Sequence, residues 1–133
     1  MGEKFLVDTS AFYAIADADD QFHQRANGIY SGLLDQRADM YTTSYVLVEC
    51  MALIHRRLGF DSLDRFVDSL RDVVGVVWVD GEIHRAAWDI LKSRQGRRLS
   101  LVDCTVLVLA EALNAGVFAF DDDFAREGLQ VLA

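Results

Sequence analysis

The sequence predicts one α/β domain, a three-layer α/β/α sandwich around a mostly parallel sheet of about five strands. Short apolar runs alternate with longer stretches of helical periodicity from one end of the chain to the other, which is the rhythm of βα units. A length of 133 residues with 52% hydrophobic content suits one sizeable core and leaves little room for a second. No proline, internal repeat or composition shift divides the chain, so residues 1–133 read as a single domain.

Taken in order, Lys4–Val7 reads as a strand that stops at Asp8, and Thr9 or Ser10 can cap a helix over residues 11–18. Phe22, Ala26, Ile29, Leu33 and Leu34 recur at helical spacing, which predicts a helix over 22–37 weakened by Gly28 and Gly32. Residues 40–43 form a second strand, and Ser44 stands as N-cap of a helix over 45–58 that Gly59 stops. Another helix opens at Asp61 and runs to about Val73. Residues 74–79 are apolar except for Gly75 and read as a buried strand. Helices follow over 81–95 and, capped by Ser100, over 101–114, with Gly116 just beyond. A strand over 117–120 runs into three aspartates, and a helical turn and a strand over 129–132 close the chain.

Charge narrows the function. Twenty-one acids against 13 bases give a net charge of −8, the wrong sign for a binder that grips nucleic acid through Lys and Arg alone. Carboxylates that hold divalent cations reverse the local sign, so an acidic chain can still act on phosphates. No apolar run approaches the roughly 20 residues that cross a bilayer, and two cysteines without a leader peptide read as reduced thiols, so a soluble cytoplasmic protein is expected. Cys50 and Cys104 read as small buried hydrophobes, and Trp78 and Trp88 as core or helix-packing residues.

Three lone acids stand inside apolar surroundings. Asp8 ends Phe5-Leu6-Val7, while Glu49 and Asp103 are the only charges in the apolar stretches 45–54 and 101–110. Helices so apolar are largely buried, and an isolated buried carboxylate costs several kcal/mol or takes up a proton. Convergence on a cation, together with the aspartates at 121–123, removes the difficulty. Asp8 and Asp121 follow strands, and Glu49 and Asp103 lie in the first turns of helices, so all four belong at the carboxyl end of a sheet, where ligands bind. Oxygen donors without a convergent His or Cys suit Mg²⁺ or Mn²⁺ better than zinc. Each acid also has a plainer explanation. Asp8 alone reads first as a turn or cap residue, Asp103 fits a capping box as well as a ligand, and Asp122 reads as a solvated turn residue. Glu49 has no capping role. His23, His55 and His84 are scattered, and there is no Gly-rich phosphate loop.

Phe5-Leu6-Val7-Asp8-Thr9-Ser10, Thr42-Thr43-Ser44 leading to Glu49, Leu99-Ser100-Leu101-Val102-Asp103, and Phe120-Asp121-Asp122-Asp123-Phe124 resemble, in order and spacing, the four signature blocks of the PIN domain. Among PIN domains the chain is most similar to the ribonuclease toxins of VapBC-type toxin–antitoxin pairs. The resemblance implies a parallel sheet in the order 3-2-1-4-5 and an acidic pocket for Mg²⁺ or Mn²⁺. It implies cleavage of RNA by a homodimer that a small antitoxin neutralises. By position, Asp8, Glu49, Asp103 and Asp121 match the family's four acids, Asp123 matches an additional acid, and Thr9 matches a hydroxyl that orients a ligand or the attacking water. Ala119 departs from the family, which commonly has Thr two positions before the fourth acid.

The leading expectation is therefore metal-dependent endoribonuclease activity. Lys92, Arg94, Arg97 and Arg98 offer cations for RNA phosphates, as do Arg56 and Arg57, although helix C-termini attract cations in any case. The helical segments over 12–18, 26–34 and 45–58 carry apolar surplus suited to an antitoxin, a homodimer seam or simply the core. Two alternatives stand beside this reading. A phosphoacceptor receiver would use Asp80 but lacks the lysine it needs near the fifth strand, since the chain has only Lys4 and Lys92. A PIN-like module that binds RNA or a partner without cutting would have no need of all four acids.

Overall fold

A computed structural model describes residues 3–133. Five parallel strands, β1 (Lys4–Val7), β2 (Asp39–Thr43), β3 (Val74–Val77), β4 (Gly116–Phe118) and β5 (Val131–Leu132), lie in the order β3-β2-β1-β4-β5. Seven helices flank them among the described residues: α1 (Thr9–Ala16), α2 (His23–Asp35), α3 (Ser44–Leu58), α4 (Phe60–Leu70), α5 (Gly81–Ser93), α6 (Leu101–Leu113) and α7 (Asp123–Arg126). α5 packs on α6, and α1 packs against α2 and α3. The predicted three-layer architecture and strand order are those observed.

The central strand explains the order. β1 pairs with β2 on one side and β4 on the other, with Leu6 opposite Tyr41 and Val117. Such a strand is enclosed on both faces, so its apolar run is continuous rather than alternating: Phe5, Leu6 and Val7 are all buried. α6 buries six residues along one helix for the same reason. Gly116 is needed where β4 passes Phe5, because a Cβ there would lie 2.9 Å from the Phe5 ring and 3.2 Å from the Gln130 carbonyl.

Several local expectations are corrected. Thr43, not Ser44, caps α3, its hydroxyl accepting from the Val46 N–H at 3.1 Å. The Ser44 hydroxyl instead accepts the Val79 N–H at 2.9 Å, tying the exit of β3 to the start of α3. α4 begins at Phe60, after Gly59 rather than at Asp61. β3 is an edge strand, ends at Val77 and is only partly covered, so its apolar run does not mark a buried strand. Trp78 and Trp88 are 70% and 49% exposed, because they follow the edge strand and sit on the outer side of α5. β4 ends at Phe118, two residues earlier than the run of apolar side chains suggests. Cys50 and Cys104 are buried, as expected, and no helix among the described residues is long and apolar enough to cross a membrane.

Candidate functional site

Every strand points its carboxyl end the same way, so whatever follows β1, β2 and β4 meets at one end of the sheet. Asp8 continues the ladder for one residue, its N–H donating to the Phe118 carbonyl at 3.0 Å. It then caps α1, with its carboxylate accepting from the Ser10 N–H at 3.2 Å and the Ser10 hydroxyl at 3.0 Å. Only 4% of Asp8 is exposed. Burial is the main reason its pKa is raised from an ordinary 3.8 to about 6, and the nearby charge of Asp103 adds to it, against the Ser10 hydrogen bonds.

Asp103 is anchored by a complete capping box at the start of α6: the Ser100 N–H donates to its carboxylate at 2.8 Å, and its own N–H donates to the Ser100 hydroxyl at 3.1 Å. Capping and site placement are one arrangement rather than alternatives. Its pKa is raised by burial first, with Ser100 opposing and the charges of Asp121 and Glu49 adding. Asp103 thus lies near Asp8, Glu49 and Asp121 alike.

Glu49 is reached from across the site. The Thr9 hydroxyl donates to its carboxylate at 2.8 Å, bridging the first turn of α1 to the second turn of α3. Glu49 and the neighbouring Val48 are exposed, which corrects the expectation of a buried acid, because α3 turns this stretch out of the core. Asp121 accepts from the Asp123 N–H at 2.9 Å in a tight turn before α7. The Asp123 pKa is raised by partial burial, then by its hydrogen bond to Asp121 and the charges of Asp121 and Asp103, with Arg98 offsetting them. Asp122 is exposed, as expected of a turn residue.

The basic residues divide. Arg98 lies close enough to oppose the Asp123 shift, which places the α5–α6 loop beside the acids. Arg97 is exposed in the same loop. Arg94 faces away and makes a two-pronged bond to Glu127, at 2.7 and 3.2 Å. Asp80 caps α5 by accepting the Ile83 N–H at 2.8 Å, at the end of the edge strand and two strands from Asp8.

Ser10 was visible in the sequence only as a capping candidate. Its hydroxyl donates to Asp8 and accepts the Phe120 N–H at 2.9 Å, so it fixes the Asp8 carboxylate and the chain leading to Asp121 with one atom. A hydroxyl two residues after a lone acid at a strand end was the available signal. Lower down, the buried Thr43 and Thr105 hydroxyls meet at 3.0 Å and lock the end of β2 to α6.

The PIN domain family matches residues 5–128. Among solved structures, VapC20 of Mycobacterium tuberculosis, described as a Sarcin-Ricin loop cleaving toxin, superposes with a TM-score of 0.85 at 28% identity over 94% of this chain and 95% of that one. VapBC2 of Rickettsia felis, bound to a promoter DNA fragment, gives 0.74 at 12% identity over 97% of both chains. DNA-bound VapBC of Salmonella typhimurium gives 0.69 at 18% over 98% and 97%. Comparison with curated protein sequences finds no match. The family match spans nearly the whole chain, and the strand order agrees with it: this chain belongs to the PIN-domain family.

Proposed function

We propose that this protein is a metal-dependent endoribonuclease, the toxin of a toxin–antitoxin pair, hydrolysing RNA phosphodiester bonds in the cytoplasm as a homodimer until a small antitoxin binds it. The observation that carries the reading is Asp8. A carboxylate 4% exposed, with a second acid raising its pKa and no Lys or Arg within 4 Å among the described residues, is costly to the fold and calls for a cation. The likeness to a toxin that cleaves RNA supports the substrate, and the likeness to VapBC complexes supports the partner.

The donor set fits Mg²⁺ or Mn²⁺: Asp8, Glu49, Asp103 and Asp121 offer hard oxygens, and Thr9 and Ser10 add hydroxyls. Among the described residues no three acidic, imidazole or thiol side chains form a finished cage. Each acid is instead held by a local donor: Ser10, Thr9, Ser100 or the Asp123 N–H. That is compatible with Mg²⁺, which keeps several waters and needs only one or two direct carboxylates. A bound ion supplies an acidified water and charge stabilisation on the phosphate. Asp8, Glu49, Asp103 and Asp121 would hold the ion, directly or through water. Either Glu49, which accepts from the Thr9 hydroxyl, or Asp123, whose pKa is raised, would accept the water's proton. Arg97 and Arg98 steady the RNA backbone beside the acids.

Incubating the protein with total RNA in Mn²⁺ or in EDTA, and mapping the ends, tests this. Cleavage should require the metal and leave 5′-phosphates, and Asp8→Asn and Asp103→Asn should abolish it without unfolding the protein. Full activity in EDTA or in both variants refutes the assignment.

A further inference from the structure

We infer that the cleft between the start of α2 and the acids is a nucleotide subsite that takes a base of single-stranded RNA and discriminates by its Watson–Crick edge; this rests on the ribonuclease reading. The cleft has a volume of about 370 Å³ and shares Thr9, Ser10 and Asp121 with the acidic site. Such a volume falls within the roughly 300–1,000 Å³ of small-molecule sites. Its walls differ in character. One is hydroxyl and carboxylate. Beside it stand Phe22 and Phe120, two rings stacked 4.7 Å apart and 3° from parallel, a slab against which a base can pack.

The rim supplies the remaining parts of a nucleotide site. Asp20 lines the cleft, and its Oδ1 accepts the Phe22 N–H at 2.8 Å, so the carboxylate is aimed by the same turn that presents the ring. Tyr13 lines the cleft as well. Its hydroxyl is committed to Asp17 at 2.7 Å, while the Arg57 guanidinium lies 5.4 Å above its ring centre. Among the described residues Arg57 makes no ion pair within 4 Å, and its guanidinium rests against Tyr13 with Asp17 nearby, so a cation stands beside the cleft to meet a phosphate. An aromatic slab, a carboxylate at the edge, a guanidinium alongside and walls shared with the acids are the parts that a nucleotide next to the scissile bond would need. A carboxylate accepts from the exocyclic amine of cytosine or adenine, whereas uracil presents a carbonyl at that position.

The test measures binding of short fluorescent oligo-A, oligo-C and oligo-U ribonucleotides in EDTA, so that no cleavage intervenes, with Mn²⁺-dependent cleavage of total RNA run in parallel. Oligo-A and oligo-C should bind the unaltered protein more tightly than oligo-U. Asp20→Asn keeps the acceptor for the Phe22 N–H and should erase that preference. Phe22→Leu should weaken all three by roughly fivefold or more. Arg57→Ala should lower the dependence of affinity on salt by about one phosphate contact. Unchanged preference in Asp20→Asn, with the unaltered protein still binding and cutting RNA, overturns the subsite and leaves the ribonuclease reading standing. An unaltered protein that neither binds nor cuts RNA overturns both. Variants that lose a co-purifying protein partner while keeping every RNA affinity assign the cleft to that partner instead.

Discussion

Replacing Asp8 with asparagine keeps the shape of the side chain and deletes its charge, which makes it a direct probe of what the buried acid costs. The unfolded chain ionises Asp8 near 3.8, and the folded protein near 6. Between those values the native state binds more protons than the unfolded one, so stability must fall as pH rises through the window and then level off above it. A separation of about 2 pH units at about 1.36 kcal/mol each is worth about 3 kcal/mol. Asparagine stands in for the protonated acid, since its carbonyl still accepts from Ser10. Asp8→Asn should therefore match the parent near pH 4 and exceed it by about 3 kcal/mol at pH 8, a melting-temperature gain on the order of 10 °C. The assay is thermal and urea unfolding in EDTA from pH 4 to pH 8, where Asp103 contributes in the same direction in both proteins. Equal or lower stability of Asp8→Asn at pH 8 would show that the carboxylate is fully compensated in the fold, and the case for a cation built on it would fail.

Millimolar Mn²⁺ should raise the melting temperature of the parent by mass action and leave Asp8→Asn nearly unmoved; equal shifts in both place the ion elsewhere. Arg97→Ala combined with Arg98→Ala should weaken RNA binding and flatten its salt dependence, whereas Arg94→Ala, whose guanidinium is bound to Glu127, should leave the salt slope unchanged. Cys50 and Cys104, with thiols pushed up by burial to about 12 and about 11, should resist alkylation in the native protein at pH 8 and react at once on unfolding.

The order of the elements and the acids was legible in the sequence because both follow from local pattern. A strand enclosed on two faces must be apolar throughout, and a lone acid at its end stands out against that background. What was hidden depended on neighbours. Thr43 and Ser44 are equally good caps in isolation, and the choice is made by Val79, which claims the Ser44 hydroxyl from 35 residues away. Trp78 and Trp88 look like core residues until the strand before them proves to be an edge. Glu49 was found for a reason that does not hold: it is exposed, and its tie to the site is Thr9. The pairing of Arg94 with Glu127 joins positions 33 residues apart, and nothing in the local run of cations separates Arg94 from Arg98.

The parallel pairing of β5 with β4 has a practical consequence for anyone handling the protein. The Leu132 carbonyl accepts the Ala119 N–H at 3.1 Å, so the backbone passing Ala133 departs from the same end of the sheet as Asp8 and Asp121. Lys4, by contrast, enters β1 at the far end. A segment fused after residue 133 would start at the end of the sheet that carries Asp8 and Asp121, and a bulky fusion partner there would shade the cleft. Affinity tags, fluorophores and surface-tethering groups are better kept away from that end of the sheet.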